Sequence, residues 1–298
     1  MNKELNLSGI GIHTGEKVNL NIIEDKINTG ITFTAEIENE IFQCPAHCNQ
    51  LGTTARSTAL VLRGQTNRHE VRTIEHFMSA AYLFGLPNLE VILKKELAPN
   101  SKQNLCFEMP ILDGSAKEWI NHLENFGCKL KTPEEYLVCN KEFTVKNDQG
   151  AFVSFKPCKE KKLEINYKIE FPPHWQQSKK FYIAWEKPLE SLDRYKKEIA
   201  PARTFALKEW IEQLRKNNLG LGGSLENALI LDGNKVLNES GFLVENELAA
   251  HKILDAIGDF SLIGKALCAE VDINKASHAI HIQAIRHGIK NNYFSLIK

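Results

Sequence analysis

The chain contains the stretch His251-Lys252-Ile253-Leu254-Asp255-Ala256-Ile257-Gly258-Asp259, which lies within residues 244–267, the longest helix that the pattern predicts. Because residues four apart lie on the same face of a helix, His251, Asp255 and Asp259 form one line, about 6 Å apart along the axis. Most of the remaining helix surface is apolar, which is typical of a buried helix. Buried imidazole and carboxylate groups need partners or a metal ion to offset the loss of water. This line is therefore a candidate metal site.

A second motif, Thr73-Ile74-Glu75-His76, offers the further ligand that a metal site requires. His76 can bind a metal ion, and Glu75 can accept a proton. Two histidines and one carboxylate suit zinc and leave a fourth position open for water, which a neighbouring Glu can deprotonate. The alternative is purely structural, because ligand pairs spaced four apart also arise by chance. In that interpretation Thr73 caps a helix, and Glu75 is favoured by the positive end of the helix dipole.

Two other groups of polar residues are candidates. Ser277-His278-Ala279-Ile280-His281, near the C-terminus, offers a further imidazole that Asp259 could orient through a hydrogen bond. Cys44 and Cys48, with His47 between them, form a rival metal site. No second ligand pair follows the cysteines at the spacing of a zinc finger, so this rival is the weaker hypothesis.

The composition is that of an ordinary globular protein, with 43% hydrophobic and 25% charged residues in 298. Lys+Arg and Asp+Glu both number 37, so we expect no nucleic-acid partner. Residues 1–15 lack the apolar run of a signal peptide, and no later segment has the roughly 20 apolar residues that span a bilayer. Seven cysteines, an odd number, predict free thiols in a reducing cytoplasm. We therefore expect a cytoplasmic protein with no structural disulfide.

Strand-like segments precede helical segments in each half of the chain, which predicts an α+β fold. The polar segment 129–135 contains Pro133 and is the best boundary candidate, because strand-like sequence resumes after it. We predict an N-terminal α+β domain at residues 1–128 and a C-terminal α+β domain at residues 136–298. The predicted strands are residues 17–23, 30–34, 57–62, 89–93, 136–145 and 152–155, and further predicted helices are residues 116–126 and 206–216.

Six motifs, in order across nearly the whole chain, resemble those of the UDP-3-O-acyl-N-acetylglucosamine deacetylase family. The resemblance implies a metal-dependent amidohydrolase that removes the N-acetyl group of UDP-3-O-acyl-N-acetylglucosamine and releases acetate during lipid A biosynthesis. The motifs are Ser8-Gly9-Ile10-Gly11-Ile12-His13-Thr14-Gly15, Thr73-Ile74-Glu75-His76, Pro110-Ile111-Leu112-Asp113-Gly114-Ser115-Ala116, Pro201-Ala202-Arg203-Thr204-Phe205, Gly222-Gly223-Ser224-Leu225-Glu226-Asn227-Ala228 and the His251 to Asp259 stretch.

The resemblance also implies a fold, a cofactor and partners. The fold would consist of two similar domains, each a β-sheet layered against helices, with the metal site between them. The cofactor would be zinc, with Fe(II) as an alternative that similar ligands can hold. The substrate would be an acylated UDP-hexosamine, and the protein a monomer with no transmembrane segment and at most peripheral contact with a membrane.

The family's functional residues carry over to matching positions of this chain. The resemblance makes three residues the zinc ligands: His76, His251 and Asp255. It makes Glu75 the general base and His278 the group that stabilises the oxyanion and protonates the amine. Asp259 would hold the ring of His278, Lys252 would lie beside it, and the hydroxyl of Thr204 would support the oxyanion.

An apolar passage for the acyl chain is implied for the insert at residues 205–221. The candidate lining residues are Phe205, Leu207, Trp210, Leu214 and Leu219. An amphipathic helix that packs the same side chains into a core is the alternative for this segment.

The chain departs from the family pattern near the C-terminus. The family usually has Gly-His followed by a Leu-Asn pair where this chain has Ser277-His278-Ala279-Ile280-His281. His278 is retained, but the stretch lacks the usual Leu-Asn pair, so the local loop and the contact made by that Asn are left open. Two other classes of function compete with the enzyme: a paralogue that binds an acylated nucleotide sugar without turnover, and a metal-free structural protein. Glu75 and all three ligands favour the enzyme.

Overall fold

The computed structural model describes residues 3–25, 30–37, 40–64, 67–95 and 106–298. Helices and mostly antiparallel sheets alternate along this part of the chain, so the predicted α+β class is confirmed. None of the helices within these ranges is long and apolar enough to cross a bilayer. The helices are α1 (Glu75–Leu83), α2 (Lys117–Phe126), α3 (Pro188–Glu198), α4 (Lys208–Lys216), α5 (Glu247–Ser261) and α6 (His278–Lys290).

The first half of the chain forms an eight-stranded sheet in the order β1-β2-β7-β3-β4-β5-β6-β8. Pairing is antiparallel except between β3 and β7 and between β6 and β8. In β2 the apolar residues alternate with polar ones, which places one face of the strand in the core. The strands are β1 (Glu4–Ile10), β2 (Lys17–Glu24), β3 (Ile31–Ile37), β4 (Glu40–Pro45), β5 (Ala59–Arg63), β6 (Arg68–Arg72), β7 (Leu89–Lys94) and β8 (Cys106–Glu108).

The second half forms a seven-stranded sheet and a small three-stranded sheet. In the larger sheet the order is β10-β11-β17-β12-β13, and β9 pairs with both β17 and β18. The small sheet, β14-β15-β16, lies next to α4 in the chain. The strands are β9 (Tyr136–Cys139), β10 (Phe143–Lys146), β11 (Phe152–Lys156), β12 (Lys162–Phe171), β13 (Trp175–Ala184), β14 (Phe205–Leu207), β15 (Leu229–Asp232), β16 (Lys235–Val236), β17 (Ala266–Asn274) and β18 (Phe294–Ile297).

Helices α1 and α5 pack against each other in the interior. All nine residues of α1 are buried, and every residue of α5 is buried except Lys252. One hydrophobic cluster contains residues from both large sheets and from these two helices. The near-complete burial of α5 agrees with its apolar sequence and leaves its His and Asp side chains without bulk water.

Two details of the helices differ from the sequence predictions. Helix α5 is shorter than the predicted 244–267, because Asn246 precedes it in a left-handed conformation and Ala266 already belongs to β17. Thr73 does not cap α1, which begins at Glu75 without a side-chain cap. Instead the Thr73 hydroxyl donates to the Glu108 carboxylate at 2.8 Å.

The glycine-rich motif near the N-terminus is held by Glu108. The backbone N–H groups of His13 and Thr14 donate to the Glu108 carboxylate at 2.8 to 3.1 Å. Gly222 packs on the same loop, since a Cβ there would stand 2.3 Å from the Gly11 carbonyl oxygen. Motifs more than 200 residues apart in sequence therefore meet at one side of the structure.

Candidate metal-dependent active site

Three buried side chains converge where α1 meets α5. His251 and Asp255 lie one turn apart on α5, and His76 lies in the first turn of α1. The Asp255 Oδ1 atom is 3.5 Å from His251 Nε2 and 3.7 Å from His76 Nε2. The same Oδ1 atom is buried and has no hydrogen-bond partner. The ligand atoms of these residues form one of the clusters able to hold a metal ion.

The charges of this cluster suit a cation. Burial lowers the pKa of His76 to about 3, and burial also lowers the pKa of His251, so both imidazoles are neutral. Burial opposes the charge of Asp255, but His251 and Lys252 hold the pKa of that carboxyl well below its usual range. Ligand atoms 2.0–2.2 Å from a tetrahedral zinc ion lie roughly 3.4 Å from one another. The spacing of the cluster and its orphaned carboxylate oxygen therefore fit such an ion.

Neighbouring groups orient two of the three ligands, His251 and Asp255. His251 Nδ1 donates to the Ala202 carbonyl at 3.0 Å, which leaves Nε2 free to bind a metal ion. Lys252 Nζ donates to Asp255 Oδ2 at 2.8 Å, so the other oxygen, Oδ1, faces the histidines. The segment that carries Ala202 is itself fixed, because the buried Arg203 side chain pairs with Glu247 at 2.8 Å.

Glu75 and His278 face each other beside the ligand cluster. Glu75 Oε1 is 3.9 Å from His278 Nε2, and Glu75 Oε2 accepts from the Thr58 N–H at 3.0 Å. Burial raises the pKa of Glu75 to about 7. Burial opposes a charge on His278, but the carboxylates of Asp259 and Glu75 raise its pKa to about 9. The site thus contains one carboxylate that can accept a proton near neutral pH and one imidazolium that can donate a proton.

The Asp259 carboxylate is fully buried and hydrogen-bonded on both oxygens. His278 Nδ1 and His281 Nδ1 both donate to Oδ2, at 2.9 Å and 2.8 Å. The Thr58 hydroxyl donates to Oδ1. Burial opposes the charge of this carboxyl, but the contact with His278 lowers its pKa. Asp259 is therefore an anion that orients the His278 ring.

A cavity of about 850 Å³ opens at this site. Its polar end is lined by Glu75, His76, Lys252 and His278, and Thr204 also borders it. Its other walls are mostly apolar. Three of the five candidate acyl-passage residues line it: Phe205, Trp210 and Leu214.

The other two acyl-passage candidates lie outside the cavity wall as far as the structure describes it. Leu207 packs against a small hydrophobic cluster that contains Leu229 and Leu248. The backbone N–H of Leu219 donates to the Leu214 carbonyl at 2.9 Å, in the turn after α4. Neither side chain is placed to touch a ligand in the cavity directly.

The rival site at Cys44 and Cys48 consists of buried, protonated thiols. Burial raises the pKa of Cys44 to about 12, and burial also raises the pKa of Cys48, so both thiols are protonated. Metal binding requires the thiolate. Among the described residues, the clusters of ligand atoms able to hold a metal ion do not include these cysteines. The seven cysteines of the chain all carry free thiols.

One residue of the site carried no signal in the sequence. Thr58 lies just before β5 and contacts both Glu75, through its N–H, and Asp259, through its hydroxyl. A threonine beside a strand is common, so only the tertiary structure reveals this link. The sequence indicated that Asp259 could orient one imidazole of the stretch 277–281, and the resemblance implied His278; the second contact, from His281, was not predicted.

The cavity brings together a ligand cluster suited to a cation, a proton acceptor, a proton donor and an apolar wall. These features are those of a metal-dependent hydrolase with room for an apolar substrate group. The family model of UDP-3-O-acyl N-acetylglycosamine deacetylase matches residues 1–289. The chain belongs to this family, and the resemblance seen in its motifs is confirmed.

Curated relatives support the same assignment. The chain is 32% identical to the UDP-3-O-acyl-N-acetylglucosamine deacetylase of Hydrogenovibrio crunogenus over 279 residues, which cover 93% of this chain and 86% of the relative. It is 35% identical to the deacetylase of the same name from Shewanella sp. strain ANA-3, covering 95% of this chain and 87% of the relative. The corresponding protein of Alcanivorax borkumensis is 34% identical, with coverage of 94% and 85%.

Proposed function

We propose that this chain hydrolyses the N-acetyl group of UDP-3-O-acyl-N-acetylglucosamine, releasing acetate and a free amine in lipid A biosynthesis. The observation that carries the proposal is the 3.9 Å approach of Glu75 Oε1 to His278 Nε2 beside the ligand cluster of His76, His251 and Asp255. This arrangement supports the proposal, because a candidate proton acceptor and a candidate proton donor lie together beside the ligand cluster, and amide hydrolysis requires both.

His76, His251 and Asp255 would hold the metal ion. Neutral imidazoles and a carboxylate suit zinc, and Fe(II) is the alternative for the same donors. When bound, the ion would acidify a water molecule and polarise the amide carbonyl. Lys252 would keep Asp255 correctly turned, since it binds Oδ2 and leaves Oδ1 directed at His76 and His251.

Glu75 and His278 would divide the proton transfers. Ionised Glu75 takes a proton from the attacking water, because its carboxylate is buried and burial raises its pKa to about 7, near the pH at which it must accept a proton. Protonated His278, held by Asp259, stabilises the oxyanion and then protonates the leaving amine. Thr204 borders the cavity and its hydroxyl would add a donor to the oxyanion.

The cavity suits an amphiphilic substrate. Phe205, Trp210 and Leu214 offer an apolar wall for the acyl chain. Arg56 and Lys275 also line the cavity and would attract the diphosphate of a UDP-sugar. Burying the acyl chain in this way supplies binding energy away from the reacting amide.

The proposed domain division places the site at a boundary. His76 and Glu75 would belong to the domain at residues 1–128, and His251, Asp255 and His278 to the domain at residues 136–298. The acyl-passage insert at residues 205–221 would extend the second domain. The metal would then lie between two similar α+β layers, since α1 and α5, which carry its ligands, pack against each other.

The test is mass spectrometry of purified, zinc-loaded protein incubated with UDP-3-O-acyl-N-acetylglucosamine. Loss of an acetyl group is expected, and the Glu75→Gln variant with its metal retained should lose it far more slowly. Substrate binding without any deacetylation would favour the inactive paralogue. Protein that binds neither metal nor substrate would favour the structural alternative.

A further inference from the structure

Asp259 is held by two imidazoles of the same helix. His278 and His281 lie three residues apart on α6, so their rings share one face. Both Nδ1 atoms reach the same oxygen, Asp259 Oδ2, at 2.9 Å and 2.8 Å. An ionised carboxylate only accepts hydrogen bonds, so each Nδ1 carries a hydrogen. The ring of His281 is as deeply buried as the carboxylate it contacts.

His281 is fixed on its opposite side as well. Its Nε2 atom lies 3.3 Å from the hydroxyl of Tyr167. The single hydrogen of that hydroxyl goes to the Ala276 carbonyl at 2.6 Å, so Tyr167 holds the ring by packing and not by a hydrogen bond. Its ring also packs edge-on against Phe260. Burial lowers the pKa of His281, so the ring is neutral, with its single hydrogen on Nδ1. A rigid neutral donor therefore contacts the carboxylate that orients His278.

We propose that His281 is a positioning residue for the deacetylation, one that acts through Asp259 on the direction of the His278 ring. The inference rests on the proposed function of His278. With Thr58 on Oδ1 and two imidazoles on Oδ2, the Asp259 carboxylate cannot rotate without breaking a buried hydrogen bond. The fixed carboxylate keeps His278 Nε2 directed at Glu75 and at the reacting position between them.

Asparagine gives a conservative variant for the test, because its side-chain amide also carries N–H donors. His281→Asn keeps an N–H donor near the position of Nδ1, whereas His281→Leu keeps the volume and removes the donor. The kcat and KM for acetate release would be measured for both, together with metal content. His287→Leu, an exposed histidine on the same helix, is the matched control.

His281→Leu should lower kcat roughly 10 to 100-fold, the cost of misplacing a reacting group by a fraction of an ångström to about 1 Å. KM and metal content should stay close to those of the wild type. His281→Asn should recover most of the loss, and His287→Leu should match the wild type. In the Asp259→Asn background, His281→Leu should lower kcat by a much smaller factor than it does alone, because both changes act through the contact between Asp259 and His281.

The inference is overturned if His281→Leu turns over at the wild-type rate, or if its effect is simply additive with Asp259→Asn. Should the Leu variant fail to fold, nitrogen NMR of the wild type decides instead. A His281 ring protonated at Nε2 and bare at Nδ1 would overturn the proposal, and a protonated Nδ1 would support it. If the wild-type protein releases no acetate, the proposed function itself is contradicted. Failure of that function can therefore be distinguished from failure of the positioning role of His281.

Discussion

Gly258 on α5 lies directly against the backbone of Glu75 on α1, so that a Cβ at residue 258 would stand 2.1 Å from the Glu75 carbonyl oxygen. The two helices that carry the metal ligands therefore cross at a glycine. Their closeness depends on the missing side chain, because neither backbone can yield locally. The spacing of His76 to His251 and Asp255 is set by this crossing.

We expect Gly258→Ala to push α5 away from α1. Such overpacking typically costs about 1 to 3 kcal/mol of stability, which should lower the thermal unfolding temperature. A displacement of about 1 Å at the site should lower kcat by up to roughly 10²-fold. Unfolding by circular dichroism and turnover of the folded fraction measure the two effects.

Gly288→Ala is the control for this prediction. A Cβ at Gly288 on α6 would meet the ring of Phe294 at 2.3 Å, so this variant should also lose stability. Phe294 lies on β18, and Gly288 is near the C-terminal end of α6, whereas His278 begins that helix, so turnover of the folded protein should fall much less than in Gly258→Ala. If both variants lost stability and neither lost turnover, the Gly258 crossing would not govern the site geometry.

Removal of a metal ligand is the second prediction. His251→Ala and Asp255→Ala should each abolish most metal binding together with activity. The expected loss exceeds the roughly 10 to 100-fold cost typical of residues that only orient a ligand. Inductively coupled plasma mass spectrometry of protein purified without added metal measures the occupancy.

The cysteines serve as controls for metal content. Cys44→Ser and Cys48→Ser should leave the occupancy unchanged, because both thiols are buried and protonated. Full occupancy in both ligand variants, or loss of metal in the cysteine variants, would contradict the assignment of the site.

The pH dependence of turnover is the third prediction. Ionised Glu75 is required, and burial raises its pKa to about 7. The charge of a bound cation lowers this pKa, so activity should fall as the pH drops through a value below 7. Protonated His278 is required as well. Its pKa of about 9 means that this form persists at neutral pH and is lost as the pH rises through about 9.

Activity should therefore follow a bell-shaped pH profile, and single substitutions should remove its acidic and alkaline limbs one at a time. Glu75→Gln should lower kcat by roughly 10²-fold or more, with metal retained, and abolish the acidic limb. His278→Ala should spare the metal and remove the alkaline limb, and Asp259→Asn should shift that limb more mildly. An unchanged acidic limb in Glu75→Gln would require another general base.

Part of this site could be predicted from the sequence. Helical spacing alone placed His251, Asp255 and Asp259 on one face, because the helix repeat is fixed. The approach of His76 to that face was not encoded locally, since it depends on how α1 packs on α5 through Gly258. The sequence offered His76 as a further ligand because a metal site requires one, and the resemblance of the motifs supported that pairing.

Errors in the sequence predictions have physical causes. The helix at 244–267 was predicted too long because apolar residues recur on both sides of Gly264 and Lys265, and apolar residues suit either a helix or the buried strand β17. The Thr73 hydroxyl was expected to cap α1, but it donates to Glu108, a long-range acceptor that a local pattern cannot reveal. The contact of Thr58 with Asp259, 201 residues away in sequence, was missed for the same reason.

The last prediction concerns the acyl chain. Each buried methylene contributes about 0.8 kcal/mol, so a substrate shortened by four carbons should bind roughly 100-fold more weakly or worse. Because Leu214 lines the cavity, Leu214→Trp should narrow the apolar end and shift the preference in kcat/KM toward shorter chains. Leu219→Trp is the matched control, since Leu219 follows the same helix without lining the cavity, and its chain-length profile should stay that of the wild type. An affinity indifferent to chain length, or equal effects of the two substitutions, would place the passage elsewhere.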